Sequence, residues 1–271
     1  MKRIYDWNAR FQMRNFTAAD LQSLKGHQRL TQTTANTAEE AAAAREAGLD
    51  LIMGNSHNTR AVRDGAPDMF FTAAISLPDF PTETEVLREA FRAMQDGADS
   101  VYTARGPHIV EALAREDIPV MCHLGLIPRK STWKGGLRAI GKTAEEALEL
   151  WQTFKRMEDA GAFSVEAEVI CEEVMAEITK RTRLITSSLG SGPNADIIYL
   201  FQNDICGEQP ERPRHARAFG NIHGLQEKIK TERRSALSSF VASVKDRDFP
   251  SASETANISP SELDKFRSAL E

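Results

Sequence analysis

Only three cysteines occur in the 271 residues, Cys122, Cys171 and Cys206, and they lie far apart. There is no C-x-x-C pair, which argues against a disulfide framework and against a thiolate zinc site. The three read as free thiols of a reducing cytoplasm, packing as small hydrophobes. The sequence also lacks any run of 18 apolar residues, so no membrane span is predicted. Residues 1–14 alternate charged and aromatic side chains and hold no apolar stretch of the kind a secretory leader needs, so a cytoplasmic location is expected. Basic residues are not in excess: 34 Lys and Arg against 39 Asp and Glu give a net charge of −5. That balance argues against nucleic acid as the partner, because phosphate binding wants a basic face. A small anion held by a local basic pocket remains compatible with it.

What is present is an ordinary globular composition, 41% hydrophobic and 27% charged, in a chain long enough to enclose a site. From residue 29 onward, short β-like runs alternate with helical segments. The runs cover residues 30–35, 49–53, 69–75, 100–103, 119–124, 164–170 and 184–188. Helices are predicted over 37–47, 83–94, 108–115, 143–159 and 172–180. Thr37 is the expected N-cap of the first, with Glu39 and Glu40 in its first turn, and Thr143 with Glu146 reads as a capping box. Residues 196–202 are apolar and read as helix-like. Such alternation implies a parallel sheet. Seven or eight units over this length predict an α/β fold of the (β/α)8 barrel type, with a doubly wound sheet as the alternative. Residues 1–28 are expected to form an N-terminal extension and 29–220 the barrel. Residues 221–271 are expected to form a helix and tail packing on the barrel or on a neighbouring subunit, with helical extensions at both ends. A basic patch (Arg212, Arg214, His215, Arg217) precedes the tail helix, and the last twenty residues are expected to be poorly ordered.

Functional groups of a parallel barrel gather at the C-terminal ends of its strands. Those ends carry Asn55, Ser56, Tyr102, Arg105, His123, Glu166, Glu168 and Ser188. Glu166 and Glu168 are two residues apart and therefore share a strand face. A carboxyl inside a barrel is costly unless paired or used, and burial raises its pKa towards that of a useful base. His123 follows an apolar strand and precedes Gly125. Gly190-Ser191-Gly192, read as lying before a helix, suggests a backbone cradle for an anion. Arg105, Arg129, Lys130 and Lys134 are candidates to hold a substrate carboxylate.

Several stretches resemble the ketopantoate hydroxymethyltransferase (3-methyl-2-oxobutanoate hydroxymethyltransferase) family. They are EAGLDLIMGNS (46–56), IPVMCHLGLIPR (118–129), EDAGAFSVEAEVICEEVMAEITKRT (158–182), LGSGPNADIIYLFQNDICG (189–207) and PRHARAF (213–219). The resemblance implies a barrel of the phosphoenolpyruvate-mutase type and a homo-oligomer. It implies removal of a C3 proton from a 2-oxo acid and attack of the enolate on the one-carbon unit of 5,10-methylenetetrahydrofolate. It places the base at Glu168, the histidine after strand five at His123, and the serine after strand two at Ser56. Where the family carries metal-binding aspartates this chain has Asn55 and Ala74, and Tyr102 and Ala104 stand where it has a lysine and a glutamate. A family loop after strand two is missing. Mg2+ wants carboxylate oxygens, so no metal ligands are predicted. Tyr102 and Arg105 are the expected substitutes for the ion, beside Asn55, Ser56 and Ser188 as substrate-binding groups, with Glu168 and His123 as the catalytic pair. Three readings of the activity follow: hydroxymethyl transfer or a close variant, a metal-independent lyase or aldolase on a related carboxylic acid, and an inactive homologue that binds a small acid.

Overall fold

Two opposed demands shape the first residues: charged side chains seek water and aromatic ones seek each other. The chain opens on an antiparallel hairpin, β1 (Lys2–Tyr5) and β2 (Phe11–Arg14), in which the rings of Tyr5 and Phe11 meet at 4.1 Å. A helix follows, α1 (Ala18–Leu24), started by a reciprocal capping box between Thr17 and Asp20. The extension is therefore a hairpin and a helix, where the sequence predicts helix alone. This computed structural model describes residues 1–270.

Eight strands then form a closed, all-parallel barrel: β3 (Leu30–Thr34), β4 (Leu51–Asn55), β5 (Phe70–Ala74), β6 (Ser100–Thr103), β7 (Val120–Gly125), β8 (Ser164–Glu168), β9 (Ile185–Leu189) and β10 (Ile197–Tyr199), with β10 pairing back to β3. Between them run α2 (Ala38–Glu46), α3 (Thr59–Gly65), α4 (Glu83–Gln95), α5 (Pro107–Ala114), α6 (Ser131–Lys134), α7 (Ala144–Asp159) and α8 (Glu172–Thr179), and α9 (Gln202–Cys206) follows β10. The strands are mostly buried on both sides; β4 and β5 read as apolar runs, while β3, β8 and β9 carry Thr, Gln, Ser and Glu among their apolar residues. Alternate residues divide the work. Ile52, Phe71, Val101, Val120, Cys122 and Val165 pack outward with the helices in the main core. Leu30, Leu51, Phe70, Ile185 and Ile197 fill the barrel floor, where Leu21 of α1 joins them. Above them sit Met53, Met121, Leu189 and Tyr199.

Two features of the sequence reading change. Residues 197–199 are a strand, the one that closes the barrel, and not part of a helix. Asp196 holds the return from β9 in place: its carboxylate accepts hydrogen bonds from the Thr186 N–H and hydroxyl (both 2.9 Å), the Gly26 N–H (2.9 Å) and Lys25 Nζ (2.9 Å). At α7, Thr143 caps the Glu146 N–H, but the Glu146 carboxylate does not reciprocate. It pairs with Arg138 at 2.7 Å and accepts from the Gly141 and Lys142 N–H groups, which together hold its pKa down at about 2.

The chain divides into two compact units, Met1–Phe219 and Gly220–Glu271. The second contains α10 (Ile222–Lys245) and α11 (Pro260–Ser268). The Phe240 and Phe249 rings meet edge-on at 5.5 Å, and α11 lies in the stretch expected to be poorly ordered. Among the described residues, no helix is long and apolar enough to cross a membrane.

Candidate active site

β7 and β8 lie side by side, with His123 opposite Glu166 and Gly125 opposite Glu168. The two glutamates occupy alternate positions of β8 and both turn into the barrel. Gly125 makes the close pairing possible. Its φ is +97°, and a Cβ there would meet the Glu168 carbonyl oxygen at 2.2 Å. Immediately after Glu168 the chain is strained. Val169 has a φ of 48°, a left-handed conformation foreign to a β-branched residue, at a cost on the order of 1–3 kcal/mol. Backbone hydrogen bonds on both of its sides, to Leu189 (2.9 Å) and from Ile140 (3.0 Å), hold it there.

Three side chains form a chain of polar contacts. The Tyr102 hydroxyl shares a hydrogen bond with His123 Nδ1 at 2.8 Å. His123 Nε2 lies 3.0 Å from Glu168 Oε2 and 3.8 Å from Glu166 Oε1. The shorter contact is poorly aligned, so Nε2 is left without a hydrogen-bond partner in line. His123 and Glu166 are each 4% exposed. Burial opposes charge on the imidazole, but the Glu168 contact and the fields of both glutamates more than offset it and raise the His123 pKa above 6.5. For Glu166, burial dominates: the carboxyl is lifted from 4.5 to about 7, with His123 pulling it down and Glu168 pushing it further up. Burial, then the nearby glutamates, raise the Tyr102 and Tyr199 phenols well above 10, so both remain protonated donors.

These groups open onto a cavity of about 610 Å³ whose wall includes Asn55, Ala74, Tyr102, His123, Glu166, Glu168 and Tyr199. Asn55 reaches it, but its Oδ1 already accepts the His57 N–H at 2.9 Å. Three residues expected to bind substrate are not part of the wall. Ser56 is fully buried beneath it, where its carbonyl accepts from Thr59 (2.7 Å) and Arg92 (2.9 Å). Ser188 falls on the outward side of β9 by strand alternation, and its hydroxyl donates to the Gly192 carbonyl at 2.8 Å. Arg105 donates to the carbonyls of Leu77 (3.1 Å) and Phe80 (2.5 Å) and braces the loop after β5. Arg129, on the loop after β7, does line the cavity, and one nitrogen of its guanidinium donates to the Ala104 carbonyl. The Gly190-Ser191-Gly192 run leads into β10 and not into a helix, so no helix N-terminus stands behind it. Its glycines serve the turn, with φ of +73° and +85°. Tyr199 was hidden from sequence reasoning by the helix-like reading of its strand. The four-residue apolar run 197–200 after a glycine-rich turn was the available signal.

A sequence model of the family described as ketopantoate hydroxymethyltransferase matches residues 54–252. The chain belongs to the ketopantoate hydroxymethyltransferase family. A 3-methyl-2-oxobutanoate hydroxymethyltransferase of Thermotoga sp. (strain RQ2) is 31% identical over 256 residues, covering 85% of this chain and 92% of that protein. One of Geobacillus sp. (strain WCH70) is 33% identical over 202 residues, covering 72% and 70%. Among solved structures, a phosphonopyruvate hydrolase complexed with oxalate and Mg2+ superposes with a TM-score of 0.52 at 13% identity, covering 94% of this chain and 96% of that one. A putative phosphonomutase from Burkholderia cenocepacia J2315 gives 0.52 at 11% identity, covering 82% and 100%. Both share the fold.

Kinship with the ketopantoate hydroxymethyltransferases implies Mg2+ on carboxylates at the ends of β4 and β5. Here Asn55 and Ala74 face each other in register at those ends. An amide oxygen already engaged and a methyl group do not fit a hard dication that takes carboxylate and water oxygens. Across the mouth, His123, Glu166 and Glu168 bring one ligand atom each within 4.8 Å of one another. That cluster of two carboxylates and an imidazole nitrogen is a softer and less oxygen-rich set than Mg2+ favours.

Proposed function

We propose that the protein enolises a small 2-oxo acid and joins the enolate to a one-carbon electrophile, the reaction class of its hydroxymethyltransferase relatives, with side chains in place of Mg2+. The observation that supports this most is Glu168 at the rim of the cavity, its Oε2 3.0 Å from the buried His123 and, through it, linked to Tyr102. The C3–H bond of the substrate breaks, and its proton passes to the Glu168 carboxylate. The electron pair forms the C2–C3 double bond while the C2 oxygen takes the negative charge. When C3 attacks the one-carbon unit, that pair becomes the new C–C bond, the π pair of the electrophile moves onto its nitrogen or oxygen, and the C2 carbonyl returns; with a folate donor, water supplies the hydroxyl oxygen and tetrahydrofolate leaves. His123, favoured in its charged form, lies against Glu168 with its Nε2 buried and without an aligned partner. The substrate carboxylate pairs with Arg129, the cation in the wall. The family donor, 5,10-methylenetetrahydrofolate, would enter by the open mouth, and nothing in the wall selects for a pterin. Assembly into a homo-oligomer belongs to the same proposal and is checked by light scattering of the purified chain.

The test is proton exchange. The full chain is incubated with 3-methyl-2-oxobutanoate in D2O, and the C3 methine signal is followed by proton NMR. Loss of the signal with the wild type, and its persistence with Glu168→Gln, is the expected result. A wild type that leaves the methine proton in place, with and without added one-carbon donor, overturns the proposal.

A further inference from the structure

The charge balance around His123 is uneven. Two carboxyl groups approach one imidazole, Glu166 buried and Glu168 14% exposed at the rim. Glu168 takes the near position at 3.0 Å, and Glu166 is left at 3.8 Å, beyond hydrogen-bond reach. No hydrogen bond from the protein contributes to the state of its carboxyl. Ser187 stands opposite it on β9, with its hydroxyl directed to Gln32 instead. The groups that face Glu166 are therefore His123 on β7, Glu168 on its own strand, and the neutral phenols of Tyr102 on β6 and Tyr199 on β10. One positive charge does not balance two negative ones, and the carboxyl that is both deeper and farther from the imidazole, Glu166, is the one that keeps its proton. An enolate, meanwhile, needs a donor or a cation at its oxygen; at the two strand ends Ala74 supplies none and Asn55 only its neutral amide N–H.

We propose that Glu166 is a further catalytic residue: as a carboxylic acid aimed into the cavity, it donates its O–H to the C2 oxygen of the substrate as negative charge develops there. This rests on the enolising role of Glu168. No proton need be transferred; the O–H hydrogen bond shortens as the C3–H pair moves onto C2–O, and relaxes when the carbonyl is restored. Glu168 and Glu166 then divide the work between base and acid. Burial supports the assignment, since it holds the Glu166 proton up to about pH 7.

The experiment measures C3 deuterium exchange of 3-methyl-2-oxobutanoate by the full chain, in EDTA and with added Mn2+, for the wild type, Glu166→Gln and Glu166→Leu. Circular dichroism confirms that each variant is folded. The wild type is expected to exchange in EDTA, with a rate that declines as pH rises through about 7. Glu166→Leu is expected to lose on the order of 100-fold, the usual effect of removing an oxyanion donor. Glu166→Gln, which keeps an N–H donor, is expected to retain part of the rate and to lose the decline with pH. Exchange by Glu166→Leu within threefold of the wild type overturns this inference alone. Exchange that requires Mn2+ in the wild type, accompanied by Mn2+ binding that Glu166→Gln abolishes, overturns this inference and the replacement of the ion by side chains, leaving the enolising reading itself, because the cluster is then a metal centre. No exchange by any of the proteins, with or without Mn2+, removes the enolising reading and this inference together.

Discussion

At the scale of the residue, Glu166 carries a consequence for stability as well as for chemistry. Its carboxyl is raised from 4.5 to about 7 by burial. Below pH 4.5 both the folded and unfolded chains hold the proton, and there is no penalty. Between the two values the unfolded chain ionises while the folded one does not, so stability falls as pH rises. Above about 7 the loss is complete and constant. A displacement of this size corresponds to about 3 kcal/mol. Glu166→Gln removes it. Urea unfolding at pH 4.5 and pH 8 is expected to show the variant gaining on the wild type by up to about 3 kcal/mol across that interval; an equal pH response in the two proteins would contradict the buried carboxyl. Arg129 gives a second expectation at this scale. If it holds the substrate carboxylate in ground and transition states alike, Arg129→Ala raises KM roughly 10- to 100-fold and leaves kcat nearly unchanged, as steady-state kinetics will show. Alternation made Glu166 and Glu168 readable from sequence, because two residues two apart share a face. The same rule, applied to β9, would have turned Ser188 outward. Arg105 could not be told from Arg129 in advance, because the carbonyls that claim it belong to a loop folded back from β5.

At the scale of the element, what was legible depended on length and caps. The helix after β3 was visible because Thr37 stands as an N-cap, with Glu39 and Glu40 in the first turn, ahead of an alanine-rich run; the structure adds that Glu40 reciprocates the cap. β10 was not, because its three residues are buried and apolar, a pattern that strand and helix share when the run is short. The information that decides the matter is long-range: Asp196 reaches back to Lys25 and Gly26, some 170 residues earlier in sequence. Its pKa is lowered, since hydrogen bonds from Lys25 and Thr186 prevail over the opposing effect of burial. Asp196→Ala leaves Lys25 and three donors without their acceptor, and is expected to cost about 3 kcal/mol in urea unfolding at pH 7. A cost below about 1 kcal/mol would mean that the loop does not depend on this carboxylate. The amino-terminal hairpin escaped notice for a related reason. Its second strand is tied down by Arg14, whose Nε meets Asp99 at 2.7 Å, and Asp99 lies just before β6.

At the scale of the molecule, the strand–helix rhythm was enough to announce a closed parallel barrel and hence the end at which chemistry would collect. It was not enough to say which groups at that end work together, since His123, Glu168 and Tyr102 come from three strands and meet only through the register of the barrel. The proposed activity rests on whether side chains alone stabilise an enolate at a mouth where Asn55 and Ala74 end β4 and β5. The most direct measurement is the C3 exchange rate of 3-methyl-2-oxobutanoate in D2O with EDTA present, wild type against Glu168→Gln. The account predicts steady replacement of the methine proton by the wild type and at least a hundredfold less by the variant; equal exchange by the two proteins would contradict it.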